Sequence, residues 1–332
     1  MREAISNAEV GDEQSFSDPT VTALNQRVAE LFGTESAVLL PSGTMCNQIS
    51  AAVHCGPGDD IIAERSAHIV GVEAGGISVL ARAGAYPVDG VRGVFSAEQA
   101  EAAIRPVRRY APRSRVISIE QTANLAGGTI WPLETIRAVG DVAIRHDLKL
   151  HMDGARILNA TVATGITAKN YAQGFDSVWL DLSKGLGCPI GAVLAGSSKF
   201  IEQAWQWKQR IGGAMHQAGI IAAAGLYALD HHVERLAEDH ANAKLLAEWL
   251  APLDGLSVEP KHVDTNIIII DVSASRADAA TWSKKLGEQG VRMAAIGPQK
   301  LRALTHLDVT REEVERAAEI FKTLATGELA PE

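Results

Sequence analysis

An alternation of short apolar runs with helical stretches restricts this chain more than any other feature. Runs of strand length fall at 37–40, 61–62, 116–119, 148–152, 178–180 and 190–194. Helical patterns lie between them, near 19–32, from Pro41-Ser42-Gly43-Thr44 to about 53, and near 97–105, 133–146 and 199–210. Short apolar strands separated by helices build a mostly parallel sheet, because each crossover lays a helix on one of its faces. The expected class is therefore α/β. In the first helix Asp18 can cap, Pro19 fits the first turn and Gly33 can end it. Val21, Leu24, Val28 and Phe32 then share one buried face. A long helical region is expected over about 217–250. After Pro252-Leu253-Asp254-Gly255 the pattern changes, with strands expected at 266–272, 291–296 and 301–305 and helices near 276–288 and 310–325. The expected organisation is a large domain over 1–250, with an N-terminal arm over 1–16, and a small C-terminal α+β domain over 251–332.

Composition excludes several functions. The formal net charge of the 332 residues is −9, and no block of Lys or Arg stands out, so a nucleic-acid partner is not expected. No run approaches the roughly 18 apolar residues of a membrane span. The opening MREAISNAEVGDEQ is too polar for a signal peptide. Cys46, Cys55 and Cys188 cannot all pair and none sits in a CxxC. Reduced thiols, no metal framework, no membrane and a cytoplasmic location are the expectation.

Three segments carry chemistry. In Leu182-Ser183-Lys184-Gly185-Leu186-Gly187-Cys188-Pro189-Ile190-Gly191 a lysine directly follows an apolar strand and glycines crowd behind it. Glycines permit close backbone approach, and a lysine desolvated at a sheet mouth becomes a nucleophile. A surface lysine in a turn would look the same. In His151-Met152-Asp153-Gly154-Ala155-Arg156, Asp153 ends a buried strand, where open α/β sheets place ligands. It lies 31 positions before Lys184, about one β–α–β unit, so both can reach one sheet edge. An ionised carboxylate there can keep a pyridine nitrogen protonated and make the ring an electron sink; the plainer reading is a turn cap with Gly154. The third segment, Pro41-Ser42-Gly43-Thr44-Met45, reads as strand, tight turn and helix start. Its free N–H groups, with the Ser42 and Thr44 hydroxyls, suit an anion such as phosphate, and also an ordinary helix cap.

With Glu9-Val10-Gly11-Asp12, Asp18-Pro19-Thr20-Val21, Ala67-His68-Ile69, Glu73-Ala74-Gly75-Gly76 and Thr305-His306, these segments resemble the L-threonine aldolase family of the β-eliminating lyases, in order along nearly the whole chain. The resemblance implies a fold-type I architecture and pyridoxal 5′-phosphate held as a Schiff base on Lys184. It implies that Asp153 partners the pyridine nitrogen, Gly43 and Thr44 hold the phosphate, and His68 stacks on the ring. Arg156 and Arg302 match arginines that hold the carboxylate of an amino-acid substrate, a task suited to a bidentate fork. The implied reaction is retro-aldol cleavage of a β-hydroxy-α-amino acid to glycine and an aldehyde, with His68 or an ordered water as base. The implied assembly is a homodimer or homotetramer.

Four departures from the family pattern keep other readings open. The family's Ser-Asp-x-Thr segment would end just before Met1-Arg2-Glu3-Ala4, so the start is either shortened or the site is built differently. Ala123, in Glu120-Gln121-Thr122-Ala123-Asn124, stands where relatives carry histidine. Gln209 and His216 stand at the Lys and Arg positions around Gly212-Gly213-Ala214-Met215, with Lys208 and Arg210 adjacent. Ser15-Phe16-Ser17 replaces a Tyr-Gly pair. Ala123 favours a different reaction on the same cofactor, such as β-elimination. The altered loop and start favour a weakly catalytic cofactor-binding protein.

Overall fold

The apolar runs of the first part of the chain become strands β1 (Ser36–Leu40), β2 (Asp59–Glu64), β4 (Arg113–Glu120), β5 (Lys149–Gly154), β6 (Ser177–Asp181) and β7 (Ala192–Gly196), with β3 (Gly84–Val88) between β2 and β4. The computed structural model describes residues 1–327, 329 and 330. The strands form one seven-stranded sheet in the order β1-β7-β6-β5-β4-β2-β3. Neighbours from β6 to β3 pair in parallel, while β7 runs antiparallel to both β6 and β1. The sheet is thus mostly parallel, as expected, with one reversed strand. β3 has no apolar run to betray it: Gly-Ala-Tyr-Pro-Val is half-exposed at the sheet edge. Proline is tolerated there because an edge strand has ladder N–H groups to spare.

The first long helix, Pro19–Phe32, forms as its residues dictate. Asp18 Oδ1 accepts from the Val21 N–H at 2.9 Å, Gly33 closes the helix at φ 69°, and Val21, Leu24, Val28 and Phe32 are buried. The same carboxylate does more than cap. Its Oδ2 accepts from the N–H of Gly11 at 3.1 Å and of Gly219 at 2.9 Å. Asp18 therefore ties the N-terminal arm, this helix and the start of helix Gly219–His231. A second tie is ionic. Lys208, on helix Ser198–Arg210, is fully buried and donates to both carboxylate oxygens of Glu13, at 2.7 and 2.8 Å.

Packing divides the chain into two units, Met1–Leu125 with Trp131–Glu234, and Ala126–Ile130 with Arg235–Glu332. The second holds an antiparallel sheet of β8 (Ile267–Asp271), β9 (Ala294–Gly297) and β10 (Lys300–Leu304), in the order β8-β10-β9. The expected long helical region is two helices, Gly219–His231 and Leu236–Leu250. The expected domain boundary, after residue 250, follows the second of these. Packing divides the chain before it, because Leu246, Ala247 and Leu250 are buried in the smaller unit's core with Trp282, Leu301 and Phe321. Among the described residues no helix is long and apolar enough to cross a membrane.

Replacing Asp18 by alanine leaves three backbone N–H groups without their acceptor. Asp18→Ala is expected to lower the unfolding free energy by about 2–4 kcal/mol, read as a lower urea midpoint. Asp18→Asn, which keeps one acceptor oxygen, loses less.

Candidate active site

Strands β1, β2, β4, β5 and β6 point the same way, so the turns that follow them share one sheet edge. Open α/β sheets bind ligands at that edge. A cavity of about 450 Å³ lies there, lined by the turns after β1 (Ser42, Gly43, Thr44), β2 (His68), β4 (Glu120, Asn124), β5 (Asp153, Arg156) and β6 (Asp181, Lys184). Seven of the eight residues singled out from the sequence therefore gather in one place. The eighth, Arg302, lies half-buried on β10 in the smaller unit.

Asp153 is 3% exposed. Its Oδ1 accepts from the Ala155 N–H at 3.1 Å and its Oδ2 from Asn47 Nδ2 at 2.9 Å. Burial pushes its carboxyl above the ordinary range, and Lys184 opposes this. A buried carboxylate so placed is stabilised by any cation brought against it. Asn47 has its amide oriented by Trp179, whose indole N–H can only donate and does so to Asn47 Oδ1 at 2.7 Å. The amide nitrogen is thereby turned to two carboxylates, Asp153 and Glu73, the latter at 2.6 Å. Glu73 in turn holds Nδ1 of His68 at 2.8 Å and raises the pKa of that imidazole. His68 thus opens a short helix, His68–Gly71, with its ring on the cavity wall.

Lys184 sits partly exposed in the turn after β6. Its Nζ donates to Asp181 Oδ2 at 3.1 Å and lies 5.3 Å from the centre of the Trp179 ring. Asp181 Oδ1 accepts from Ser183 Oγ and from the N–H groups of Ser183 and Lys184, so this carboxylate shapes the lysine's turn. At the other wall, Ser42 Oγ accepts from the Met45 N–H at 3.2 Å and caps helix Gly43–His54. The first-turn N–H groups of that helix have no intrahelical carbonyl and face an anion's natural position. Gly43 is required for a local reason as well: a Cβ on it would stand 2.2 Å from the Trp179 ring.

Glu120 was not singled out as a site residue. It is buried at the end of β4, and Oε2 accepts from the His68 N–H and Oε1 from the Asn124 N–H, both at 2.6 Å. Burial, then Asp153, push it up to about 7. Asn47, Glu73 and Asp181 were missed too. Asp181 had a signal, since it is a carboxylate at a strand end like Asp153. Glu73 lay in a segment of the family resemblance but was given no role, and Asn47 had no signal, because a polar residue in a helix or turn reads as solvated until its distant partners are known. Ala123 is buried, 4% exposed.

A family model described as beta-eliminating lyase matches residues 1–274. Low-specificity L-threonine aldolase 1 of Arabidopsis thaliana is 39% identical, over 97% of this chain and 91% of that protein. The chain belongs to the L-threonine aldolase family of the beta-eliminating lyases. Its fold agrees. The threonine aldolase of Leishmania major superposes with a TM-score of 0.81 at 18% identity, over 93% of this chain and 90% of that one. A structure of SPT with PLP superposes with a TM-score of 0.73 at 17% identity, over 98% of this chain and 82% of that one. The fold-type I architecture expected from the sequence is the one observed. Against the family pattern, the lysine next to the glycine-rich loop is accounted for: Lys208 is consumed by Glu13, while Gln209, Arg210 and His216 are exposed.

The Asn47 amide separates two carboxylates, so its charge matters more than its size. Asn47→Asp places a third carboxylate between Asp153 and Glu73. It is expected to cost about 2–4 kcal/mol of stability at pH near 8. The crowded carboxyls take up protons more readily when folded, so part of the loss is recovered as pH falls toward about 6. Chemical denaturation at both pH values checks it; an unchanged midpoint at the higher pH would show that the amide bridge contributes nothing.

Proposed function

We propose that this protein is a pyridoxal 5′-phosphate-dependent lyase that cleaves a β-hydroxy-α-amino acid of the threonine type to glycine and an aldehyde. The observation that carries the reading is the cavity in which Lys184, Asp153 and the start of helix Gly43–His54 face one space. The donor set fits the cofactor. The buried Asp153 carboxyl, pushed upward by desolvation and opposed only in part by Lys184, would be stabilised further by a protonated ring nitrogen. Lys184 would carry the cofactor as a Schiff base. The N–H groups of the helix start, with the Ser42 and Thr44 hydroxyls, would hold its phosphate. His68 would stack on its ring. Bound there, the cofactor supplies an electron sink for the pair left when Cα–Cβ breaks.

The chain's own residues supply binding and proton handling. Arg156 holds the substrate carboxylate by its fork, and Arg302 carries the same assignment from the family pattern. Orientation decides which bond breaks, and the arginines would set it by fixing the substrate carboxylate. The hydroxyl proton must leave to a base within hydrogen-bond reach. His68 suits this: with Glu73 accepting from Nδ1–H, Nε2 is left to take a proton. An ordered water is the alternative base. An assembly of two or four copies belongs to this reading. The second reading, another reaction on the same cofactor, is favoured by Ala123, whose methyl group can neither donate nor accept a proton.

The test is direct. Protein purified with pyridoxal 5′-phosphate is expected to show a visible absorption band of the lysine-bound cofactor, and to release aldehyde from L-threonine, L-allo-threonine or L-phenylserine. Lys184→Ala is expected to lose both the band and turnover. A band without aldehyde moves the assignment to the second reading. A band retained in Lys184→Ala removes the lysine from its role.

A further inference from the structure

We propose that Glu120 is a positioning residue for amino-acid binding, a clamp whose carboxylate holds His68 and Asn124 and, through Asn124, orients Arg156. The inference rests on the proposed lyase reading and specifies how its substrate pocket is held. Glu120 closes β4, and its two oxygens are used on opposite sides. Oε2 takes the N–H that opens helix His68–Gly71, where the preceding Ala67 offers no side-chain cap. Oε1 takes the N–H of Asn124. Asn124 Oδ1 accepts from Arg156 Nη1 at 3.2 Å, and the Arg156 N–H is bonded to Gln121 O in the same turn. One buried carboxylate thus sets the backbone of the ring-facing histidine and the anchor of a carboxylate-binding arginine.

Only the ionised form does both at full strength. A carboxylate accepts strongly on both oxygens, whereas the hydroxyl oxygen of a carboxylic acid is a poor acceptor, so protonation weakens the hold on one of the two facing N–H groups. The group is poised for this. Burial and then Asp153 raise it, while the Asn124 and His68 N–H groups and the imidazole of His68 hold it down, leaving it at about 7. The other charged groups round the cavity are Arg156, Asp181 and Lys184, with Glu73 behind His68. Glu120→Gln imitates the protonated clamp at every pH, because an amide offers one acceptor and one donor.

The experiment uses the holoenzyme. Glycine affinity is read from the change in the cofactor's absorption, and KM and kcat for L-threonine from aldehyde release, from about pH 6 to about pH 9. In the unchanged protein, glycine affinity is expected to fall and KM to rise about tenfold as pH drops through the Glu120 transition, the loss of one charge-assisted hydrogen bond. kcat changes much less. Glu120→Gln is expected to sit at the weak-binding limit throughout, with the pH limb gone. Asn124→Ala keeps the N–H to Glu120 but drops the link to Arg156. It is expected to weaken glycine about tenfold and flatten the limb. If Glu120→Gln keeps the wild-type limb, the limb belongs to His68 and the clamp is wrong. Unchanged glycine affinity in Asn124→Ala overturns it equally. Glycine binding without aldehyde release in the unchanged protein would fail the lyase reading while leaving the clamp tested.

Discussion

Burying the Asp153 carboxylate at the mouth of the sheet sets the terms for everything around it. Such a group is costly unless each oxygen has a donor, and Asp153 has the Ala155 N–H on one and the Asn47 amide on the other. The Asn47 amide in turn works in one orientation. Trp179 and His151 both donate to its oxygen, so its nitrogen must serve the two carboxylates. The polarity continues away from the cavity. His151 gives its Nε2 proton to Asn47 and must accept at Nδ1, from Ser177 Oγ at 2.9 Å. Ser177 can then accept from His54 Nε2 at 2.8 Å. Burial keeps both imidazoles neutral, pulling His151 to about 3 and His54 to about 4. A row of one-way hydrogen bonds thus runs beneath helix Gly43–His54. Reversing any member strands a buried polar group, at about 1–3 kcal/mol.

That row explains why Gly43 and Trp179 belong together. Trp179 reaches Asn47 only if its ring passes under the helix start, where a Cβ at position 43 would stand. The glycine read from the sequence as room for a phosphate is equally room for the indole. The same ring lies near the Lys184 ammonium. A residue of β6 therefore orients the partner of Asp153 through its N–H and flanks the lysine with its face, which ties the spacing of the two groups to the sheet.

What could be read from the sequence was whatever is local. The caps of helix Pro19–Phe32, the strands with continuous apolar runs, and Lys184, Asp153 and Ser42-Gly43-Thr44 at strand ends all announce themselves within a few residues. What escaped depends on distant partners. Lys208 reads as one more solvated cation in Trp207-Lys208-Gln209-Arg210, and only the fold brings Glu13 to it across 195 positions. Asn47 meets Asp153 across 106 positions and His68 meets Glu120 across 52. β3 escaped for the opposite reason, since a half-exposed edge strand with a proline has no periodicity to show.

The same distinction bears on Ala123. Seen as a string, Glu120-Gln121-Thr122-Ala123-Asn124 has lost its protic side chain. Seen in place, the run still carries a carboxylate and an amide to the cavity wall, and Ala123 is buried. Gln121 is also engaged, its N–H on Asp153 O and its side chain on the backbone of Trp131. The turn after β4 is therefore held from β5, from the helix at His68 and from Trp131, whatever stands at position 123. A histidine there would add a protic group to a frame that is already fixed. Its absence leaves the frame intact, with His68, backed by Glu73, still on the wall.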